Sequence, residues 1–183
     1  PAGAIVYSTY VGDNNTADYG YGIAVDSSGN AYVTGMTYWG GSGTAFPIVN
    51  GFPFSGGGNG GIVFKLNSSG TALLYSTRLQ SGSSTIGYGI AVEGSNAYVV
   101  GMSVAGQDFP LWPDSGTYSG LIGNGGMYDA FIVKIDTTAS GVASLSYATR
   151  FGDAGWDYFY AAAVDSSGNA YATGYTDNGN ANN

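Results

Sequence analysis

The chain contains no cysteine and no histidine. Without cysteine it can form no disulfide and no thiolate nucleophile, and without histidine it lacks the commonest metal ligand and general base. Together these two absences exclude Ser-His-Asp chemistry and nearly every zinc site. No catalytic motif is visible in the residues that remain, so we expect a protein without a cofactor that is not an enzyme.

Charged residues are also scarce. They make up 9% of the chain, against about 25% in ordinary soluble domains. Twelve acidic and four basic residues give a net charge of −8 at pH 7, which argues against binding to nucleic acid or to anionic membranes. No apolar run approaches the roughly 20 residues of a membrane-spanning helix, so membrane insertion is not expected. The Gly, Ser, Thr, Asn and Tyr content resembles that of secreted prokaryotic surface proteins, and we expect a secreted or cell-surface location.

What the chain does contain is a phrase that occurs three times. AVDSSGNAYVTG at Ala24–Gly35 returns as AVEGSNAYVVG at Ala91–Gly101 and as AVDSSGNAYATG at Ala163–Gly174. A second phrase also occurs three times, as IVYSTYVG, LLYSTRLQ and LSYATRFG, at nearly the same spacing as the first. Its tyrosines are 68 and then 72 residues apart. Self-similarity at such a period predicts stacked copies of one supersecondary unit.

Each copy divides into four short apolar segments separated by turn residues. The segments are five to eight residues long and rich in Val, Ile, Tyr, Phe and Thr, as β-strands are, and no stretch shows helical periodicity. DSSGN at Asp26–Asn30 and NSSGT at Asn67–Thr71 predict hairpins, because a type I turn followed by a left-handed Gly closes an antiparallel pair. The predicted fold is all-β, and each unit is a four-stranded antiparallel blade of a β-propeller.

The same residues resemble a known family. GIAVDSSGNAYVTG, followed by Phe-Pro, a glycine-rich stretch and LLYST, is similar to the SBBP β-propeller repeat, which is related in form to the NHL repeat. The resemblance covers nearly the whole chain. It implies a propeller, usually within large extracellular bacterial or archaeal proteins, and it implies no particular activity or site residues.

The repeat defines a single propeller segment of about two and three-quarter blades, each of roughly 70 residues. Residues 4–12 are predicted to be the outer strand of a preceding blade, residues 21–80 and 88–152 two blades, and residues 160–176 the first half of a further one. We expect the chain to be part of a larger propeller. The alternative is a homo-oligomer, in which the arc closes with another copy.

Alternation of the strands places two kinds of connection at opposite ends of each blade. The turns after strands one and three are tight, whereas residues 37–60 and 103–129, between strands two and three, form long connections. Loops beyond about 12–15 residues are usually functional. Any site is therefore expected at this end of the blades, which we call the long-loop face.

Aromatic residues are frequent on the long-loop face. Aromatic rings stack on the C–H faces of sugars, and nearby carboxylates and amides bond to the sugar hydroxyls. The candidate ligand-binding residues are Tyr19, Tyr38, Trp39, Trp112, Tyr118, Trp156, Asp157 and Tyr158. The alternative is that the loops fold back and pack on the blades, and the Phe-Pro pairs that begin at Phe46 and Phe109 resemble a recurring anchor of this kind.

Two short loops concentrate oxygen donors, which calcium prefers as ligands. The candidate calcium ligands are Asp13, Asn15, Asp18, Asp153 and Asp157. Their spacing matches neither an EF-hand nor an RTX repeat. The alternative is that these residues are solvated turn acids.

Charged residues that recur with the repeat are predicted to serve the blade rather than a ligand. These residues are Asp26, Glu93, Asp165, Lys65, Lys134, Arg78 and Arg150.

Three functions remain open. The favoured one is a non-catalytic binding or adhesion module that holds carbohydrate or another cell-surface ligand on the long-loop face. The second is a structural subunit of an extracellular filament or surface layer, assembled through blade edges. The third is an enzyme that acts on polysaccharides through paired carboxylates, although fold analogy alone cannot assign such chemistry. The expected partner is a surface glycan or another copy of the protein.

Overall fold

The computed structural model describes residues 3–14, 16–38, 46–52, 59–79, 84–104, 109 and 126–177. Within these residues, ten β-strands form three antiparallel sheets. The first sheet contains β1 (Asp18–Val25), β2 (Ala31–Thr37), β3 (Gly60–Leu66) and β4 (Leu73–Leu79), in that order. The second contains β5 (Thr85–Glu93), β6 (Asn96–Val104), β7 (Tyr128–Asp136) and β8 (Leu145–Phe151). The third contains β9 (Asp157–Val164) and β10 (Ala170–Thr176).

The all-β prediction is confirmed, and so is the arrangement of four antiparallel strands in sequence order. Strand one of each sheet begins about three residues earlier than the apolar pattern indicated. A short 3₁₀ helix at Gly141–Ser144, which the sequence analysis did not predict, precedes β8. Residues 4–12, expected as the outer strand of a preceding blade, form no strand, and the side chains of Ile5 and Val6 are exposed.

The predicted hairpin turns have the expected chemistry. Gly29 has φ +80° and its N–H donates to the Asp26 carbonyl at 3.0 Å. The Asp26 carboxylate accepts the backbone N–H groups of Ser28 and Asn30, each at 2.9 Å. It also lies 3.5 Å from Lys65 Nζ, which in turn lies over the ring of the buried Tyr32. Asp26 and Lys65 therefore stabilise the blade itself, as the repeat indicated.

The turn makes stability sensitive to acid. Burial opposes ionisation of Asp26, but hydrogen bonds from Asn30, Ser28 and Tyr32 outweigh it and lower the pKa of this carboxyl to about 2. A carboxyl with a lowered pKa stabilises the fold above its ordinary pKa of about 3.9, and that contribution is lost as the pH falls towards 2. We expect Asp26→Asn to reduce the loss of stability between pH 4 and pH 2, measured by urea unfolding. Equal acid sensitivity in both proteins would contradict this role.

The hydrophobic core lies between the sheets. Its largest cluster joins the first and second sheets and includes Tyr75, Val99 and Phe131, all fully buried. The Tyr75 hydroxyl hydrogen-bonds to Ser144 Oγ at 2.9 Å, which ties the outer strand of the first sheet to the 3₁₀ helix of the second. Stacking of one sheet on the next therefore buries apolar side chains that neither sheet could bury alone.

Both predicted phenylalanine anchors are buried. Phe109 packs against Phe131 in the core between the first two sheets, with ring centroids 5.0 Å apart. Phe46 packs against Phe64 on the opposite side of the first sheet, with centroids 6.1 Å apart. The Phe-Pro segments thus hold the long connections against the blades.

The first strands of the three sheets run side by side, with β5 between β1 and β9. Two glycines permit this approach. A Cβ on Gly22 would lie 2.8 Å from the Tyr88 carbonyl oxygen, and one on Gly89 would lie 2.9 Å from the Ala161 Cα. Sheets that share an inner edge in this way are arranged like neighbouring blades of a propeller.

Candidate functional site

Each first strand carries a β-bulge at the same position of the repeat. In the first sheet, Gly20 pairs with Gly35 and Gly22 pairs with Thr34, so Tyr21 has no partner across the strands. The same irregularity isolates Tyr88 in β5 and Tyr160 in β9. A bulge inserts one extra residue and re-aims its side chain. The repeat therefore presents one tyrosine per sheet at its inner strand.

The residue opposite each bulge is always glycine. A Cβ on Gly35 would overlap the Tyr19 carbonyl oxygen, one on Gly101 the Ile86 carbonyl oxygen, and one on Gly174 the Tyr158 carbonyl oxygen. The bulged strand thus approaches its neighbour more closely than any other residue type allows. This explains why all three copies of the repeated phrase end in glycine.

The three bulge tyrosines form a row across the sheets. The ring centroids of Tyr21 and Tyr88 are 5.7 Å apart, and those of Tyr88 and Tyr160 are 5.6 Å apart. Tyr19 stacks on Tyr21 and Tyr158 stacks on Tyr160, each pair with centroids 6.0 Å apart and nearly parallel rings. These pairs extend the row at both ends because residues i and i+2 of a strand share a face.

Further rings join both ends of this row. Tyr38 packs edge-on against Tyr19 at 6.0 Å. Tyr128, Trp156 and Tyr175 each lie within 6.4 Å of Tyr158. We call the continuous set the aromatic belt, and its members are Tyr19, Tyr21, Tyr38, Tyr88, Tyr128, Trp156, Tyr158, Tyr160 and Tyr175.

The aromatic belt is accessible to a ligand. Tyr21, Trp156 and Tyr160 keep 46–53% of their surface exposed. Its outer rings stand at the ends of the strands from which the long connections leave, since Tyr19 pairs with Met36 near the end of β2. The belt therefore lies on the long-loop face.

Burial raises the pKa of two tyrosines of the belt, Tyr88 and Tyr158. Burial, followed by the neighbouring Tyr128, Tyr88 and Tyr160 and by Asp177, raises the pKa of Tyr158 to about 12. The pKa of Tyr88 is also raised, first by burial and then by adjacent tyrosines. Their phenols stay neutral at physiological pH and present uncharged, electron-rich faces.

Four of the predicted ligand-binding residues belong to the belt: Tyr19, Tyr38, Trp156 and Tyr158. Three others, Trp39, Trp112 and Tyr118, lie outside the described residues. Sequence reasoning missed the bulge tyrosines because it assigned them to strands as ordinary strand residues. The available signal was the spacing of Tyr19 with Tyr21 and of Tyr158 with Tyr160, which places each pair on one face.

Asp157 has a different environment from its aromatic neighbours. It is 4% exposed. One of its carboxylate oxygens accepts the Asp153 N–H at 3.1 Å, and the other accepts the hydroxyl of Thr176. Both carboxylate oxygens therefore accept hydrogen bonds from within the protein, which fix the connection between the second and third sheets.

Asp153 belongs to the same loop as Asp157, and two further predicted calcium ligands, Asp13 and Asp18, belong to the equivalent loop before the first sheet. The Asp18 carboxylate accepts the Asp13 N–H at 2.9 Å, and the Asp13 carboxylate accepts both the N–H and the hydroxyl of Thr16. Asn15 lies outside the described residues. Over the described part of the chain, no group of three or more Asp or Glu residues could hold a metal ion. A calcium site here stays a prediction.

An ion pair that the sequence did not predict lies beside Asp157, at the connection between the second and third sheets. The Asp129 carboxylate is fully buried and lies 3.6 Å from the Arg150 guanidinium. Burial raises the pKa of Asp129 to about 6, while Arg150 lowers it and Asp157 raises it. The position equivalent to Asp129 in the first sheet is Gly60, so the repeat gave no signal for this acid.

Stacked four-stranded antiparallel sheets with adjacent first strands define a repeat protein of the β-propeller type. Residues 6–38 match the SBBP family, described as a beta-propeller repeat, so the chain contains such a repeat over the segment before β1 and over β1 and β2. This match confirms the resemblance, over a smaller part of the chain than the resemblance covers. No curated protein matches the chain.

Among the helices of the described residues, none is long and apolar enough to cross a membrane.

Proposed function

We propose that this protein is a non-catalytic module, secreted or on the cell surface, that binds carbohydrate on the aromatic belt. The observation behind this proposal is the belt itself, a continuous series of half-exposed rings across three sheets. An isolated exposed tyrosine needs no explanation, but large contiguous apolar surface in a soluble protein marks an interaction site. Flat rings with carboxylates nearby suit the C–H faces and hydroxyls of sugars.

The buried acids support a function without catalysis. Glycosidases need two carboxyl groups on either side of a bond in an accessible cleft. Asp129 and Asp157 lie close to each other, since a Cβ on Gly152 would meet a carboxylate oxygen of each. Asp129 is fully buried beside Arg150, and the Asp157 carboxylate accepts two internal hydrogen bonds.

The proposal is tested by glycan binding of belt variants. We expect Trp156→Ala and Tyr21→Ala each to weaken binding at least tenfold, because central aromatic contacts commonly supply 2 kcal/mol or more. Binding is measured by a glycan array followed by calorimetry with the glycan that is retained. The matched control is Tyr10→Ala, which removes a fully exposed tyrosine outside the belt.

Circular dichroism and thermal unfolding establish that the variants keep their fold. If the wild-type protein retains no glycan, or if the Tyr10 variant loses as much affinity as the belt variants, the proposal is wrong.

The second candidate function is a structural subunit assembled through blade edges. Within the described residues, β10 pairs with β9 alone, and β1 exposes 69% of Ile23 and 61% of Val25. An unpaired edge and exposed apolar side chains favour association with another chain. Electron microscopy and light scattering test this candidate: filaments that Ile23→Lys disperses would favour it over the binding module.

A further inference from the structure

All four basic residues of the chain lie inside the blades. Lys65, Arg78 and Arg150 are buried, and Lys134 is half-buried over the ring of Tyr98. Lys65 pairs with Asp26, and Arg150 pairs with Asp129. No cationic side chain is therefore exposed, either at the belt or elsewhere.

Acidic residues lie at both ends of the aromatic belt. At one end, Asp177 accepts a hydrogen bond from the Tyr175 hydroxyl at 3.1 Å and one from the Trp156 N–H at 3.3 Å. At the other end, Thr16 links the belt to an acid, because its N–H donates to the Asp13 carboxylate and its hydroxyl lies 2.7 Å from both that carboxylate and the Tyr38 carbonyl oxygen.

A cleft lies at the end of the aromatic belt that contains Tyr175. In this cleft the carboxylate of Asp153 is exposed to solvent beside the ring of Tyr175. The cleft has a volume of about 280 Å³ and is lined by Asp153 and Tyr175, with apolar walls from Phe151 and Phe159. The side chain of Asp153 is exposed, unlike that of Asp157, which lines the same cleft. The cleft is large enough to admit a small polar group of a ligand that lies along the belt.

Electron-rich rings, the exposed Asp153 carboxylate, the half-buried Asp13 and Asp177, and basic side chains that are all buried or half-buried favour a positively charged ligand. Cations bind over the faces of Trp and Tyr, and the attraction grows when carboxylates lie nearby. We propose that the aromatic belt binds a glycan that carries free amino groups, and that it binds this glycan in preference to the N-acetylated or anionic form. This inference rests on the proposed carbohydrate-binding function.

The test uses glucosamine oligomers and N-acetylglucosamine oligomers of equal length, titrated into the full chain at about pH 5.5, where the sugar amines are protonated and exposed carboxyls are ionised. The two oligomers share the same sugar rings and differ in the nitrogen group, which is a cationic amine in one and a neutral acetamide in the other. We expect the amine form to bind about tenfold more tightly at low salt. High salt should reduce the difference, since exposed charges are screened.

Variants identify the source of the preference. Asp153→Asn combined with Asp177→Asn removes two charges at the belt and keeps one acceptor oxygen on each side chain. We expect this pair to reduce the preference for the amine to about twofold or less. The control is Glu93→Gln combined with Asp165→Asn, which removes two charges at the opposite, tight-turn end of the sheets and should leave the preference unchanged.

The outcomes separate the inference from the proposed function. Equal binding of both oligomers, or a preference that survives in the Asp153/Asp177 variant, overturns the inference and leaves carbohydrate binding intact. If neither these oligomers nor any glycan on the array binds, both proposals fail.

Discussion

Gly101→Ala is expected to destabilise the protein by about 3 kcal/mol or more. The added Cβ would overlap the Ile86 carbonyl oxygen and would lie 2.9 Å from the Phe131 ring. The first of these atoms belongs to the backbone of the neighbouring strand, so no side-chain rotation relieves the clash. Strands β5 and β6 must separate in the middle of the second sheet, where both pack against the core.

Thermal unfolding measures this effect. A chain of this size loses about 2–4 °C of unfolding midpoint per kcal/mol, so we expect a fall of roughly 6–12 °C. Gly3→Ala is the control, because a Cβ there meets no atom within 4 Å. A Gly101 variant with the midpoint of the Gly3 variant would show that the sheet accommodates a side chain opposite the bulge.

Arg150→Met is expected to cost about 3–5 kcal/mol at neutral pH. The substitution keeps much of the side-chain volume but leaves the carboxylate of Asp129 buried without its cationic partner. A buried uncompensated charge is among the most destabilising changes known in proteins. Lys134→Met is the matched control, since Lys134 lies half-buried over the Tyr98 ring, and we expect it to cost about 1 kcal/mol.

The pH dependence gives a second test of the same pair. The pKa of Asp129 is raised to about 6 in the folded protein, above the value of about 3.9 expected for an unfolded chain. Between these values the folded state binds more protons, so this group makes the free energy of unfolding fall as the pH rises from 4 to 6.

Without Arg150, the attraction that favours the ionised carboxyl is lost, and the pKa of Asp129 should rise further. The fall in stability should then extend above pH 6. Urea unfolding at pH 5 and pH 8 measures the difference, which we expect to be larger in Arg150→Met than in the wild-type protein. An unchanged or smaller difference would contradict the assignment.

The fold could be predicted from the sequence because its signals are local and repeated. Turn phrases such as DSSGN contain the glycine that the turn requires, and Gly29 and Gly168 both have φ +80°. Ten of the eleven segments predicted as strands are strands in the described residues, and the eleventh, residues 4–12, is not. Three copies of one pattern also allow each strand assignment to be compared between copies, because a wrong assignment in one copy would not match the equivalent residues of the others.

The site could be predicted only in part, because its geometry depends on register. The order of predicted strands and turns placed Tyr19, Tyr38, Trp156 and Tyr158 in connections or at strand ends on the long-loop face. It could not show that Tyr21 and its equivalents are extra residues of a bulge, because a bulge is defined by the pairing of two strands. The Asp129–Arg150 pair was missed for a similar reason, since the acid and the base belong to different strands and the acid does not recur in the first sheet.

The bulge also determines how the length of the aromatic belt depends on the number of repeats. Each sheet adds one bulge tyrosine, and neighbouring bulge tyrosines are 5.6–5.7 Å apart. Duplicating a repeat would therefore lengthen the belt by one ring without any change to the existing contacts. For an extended ligand, each added contact forms within a complex that already exists, so avidity rises with repeat number while each individual contact stays weak. Under the proposed function, gene duplication alone would thus adjust how tightly the belt holds a glycan.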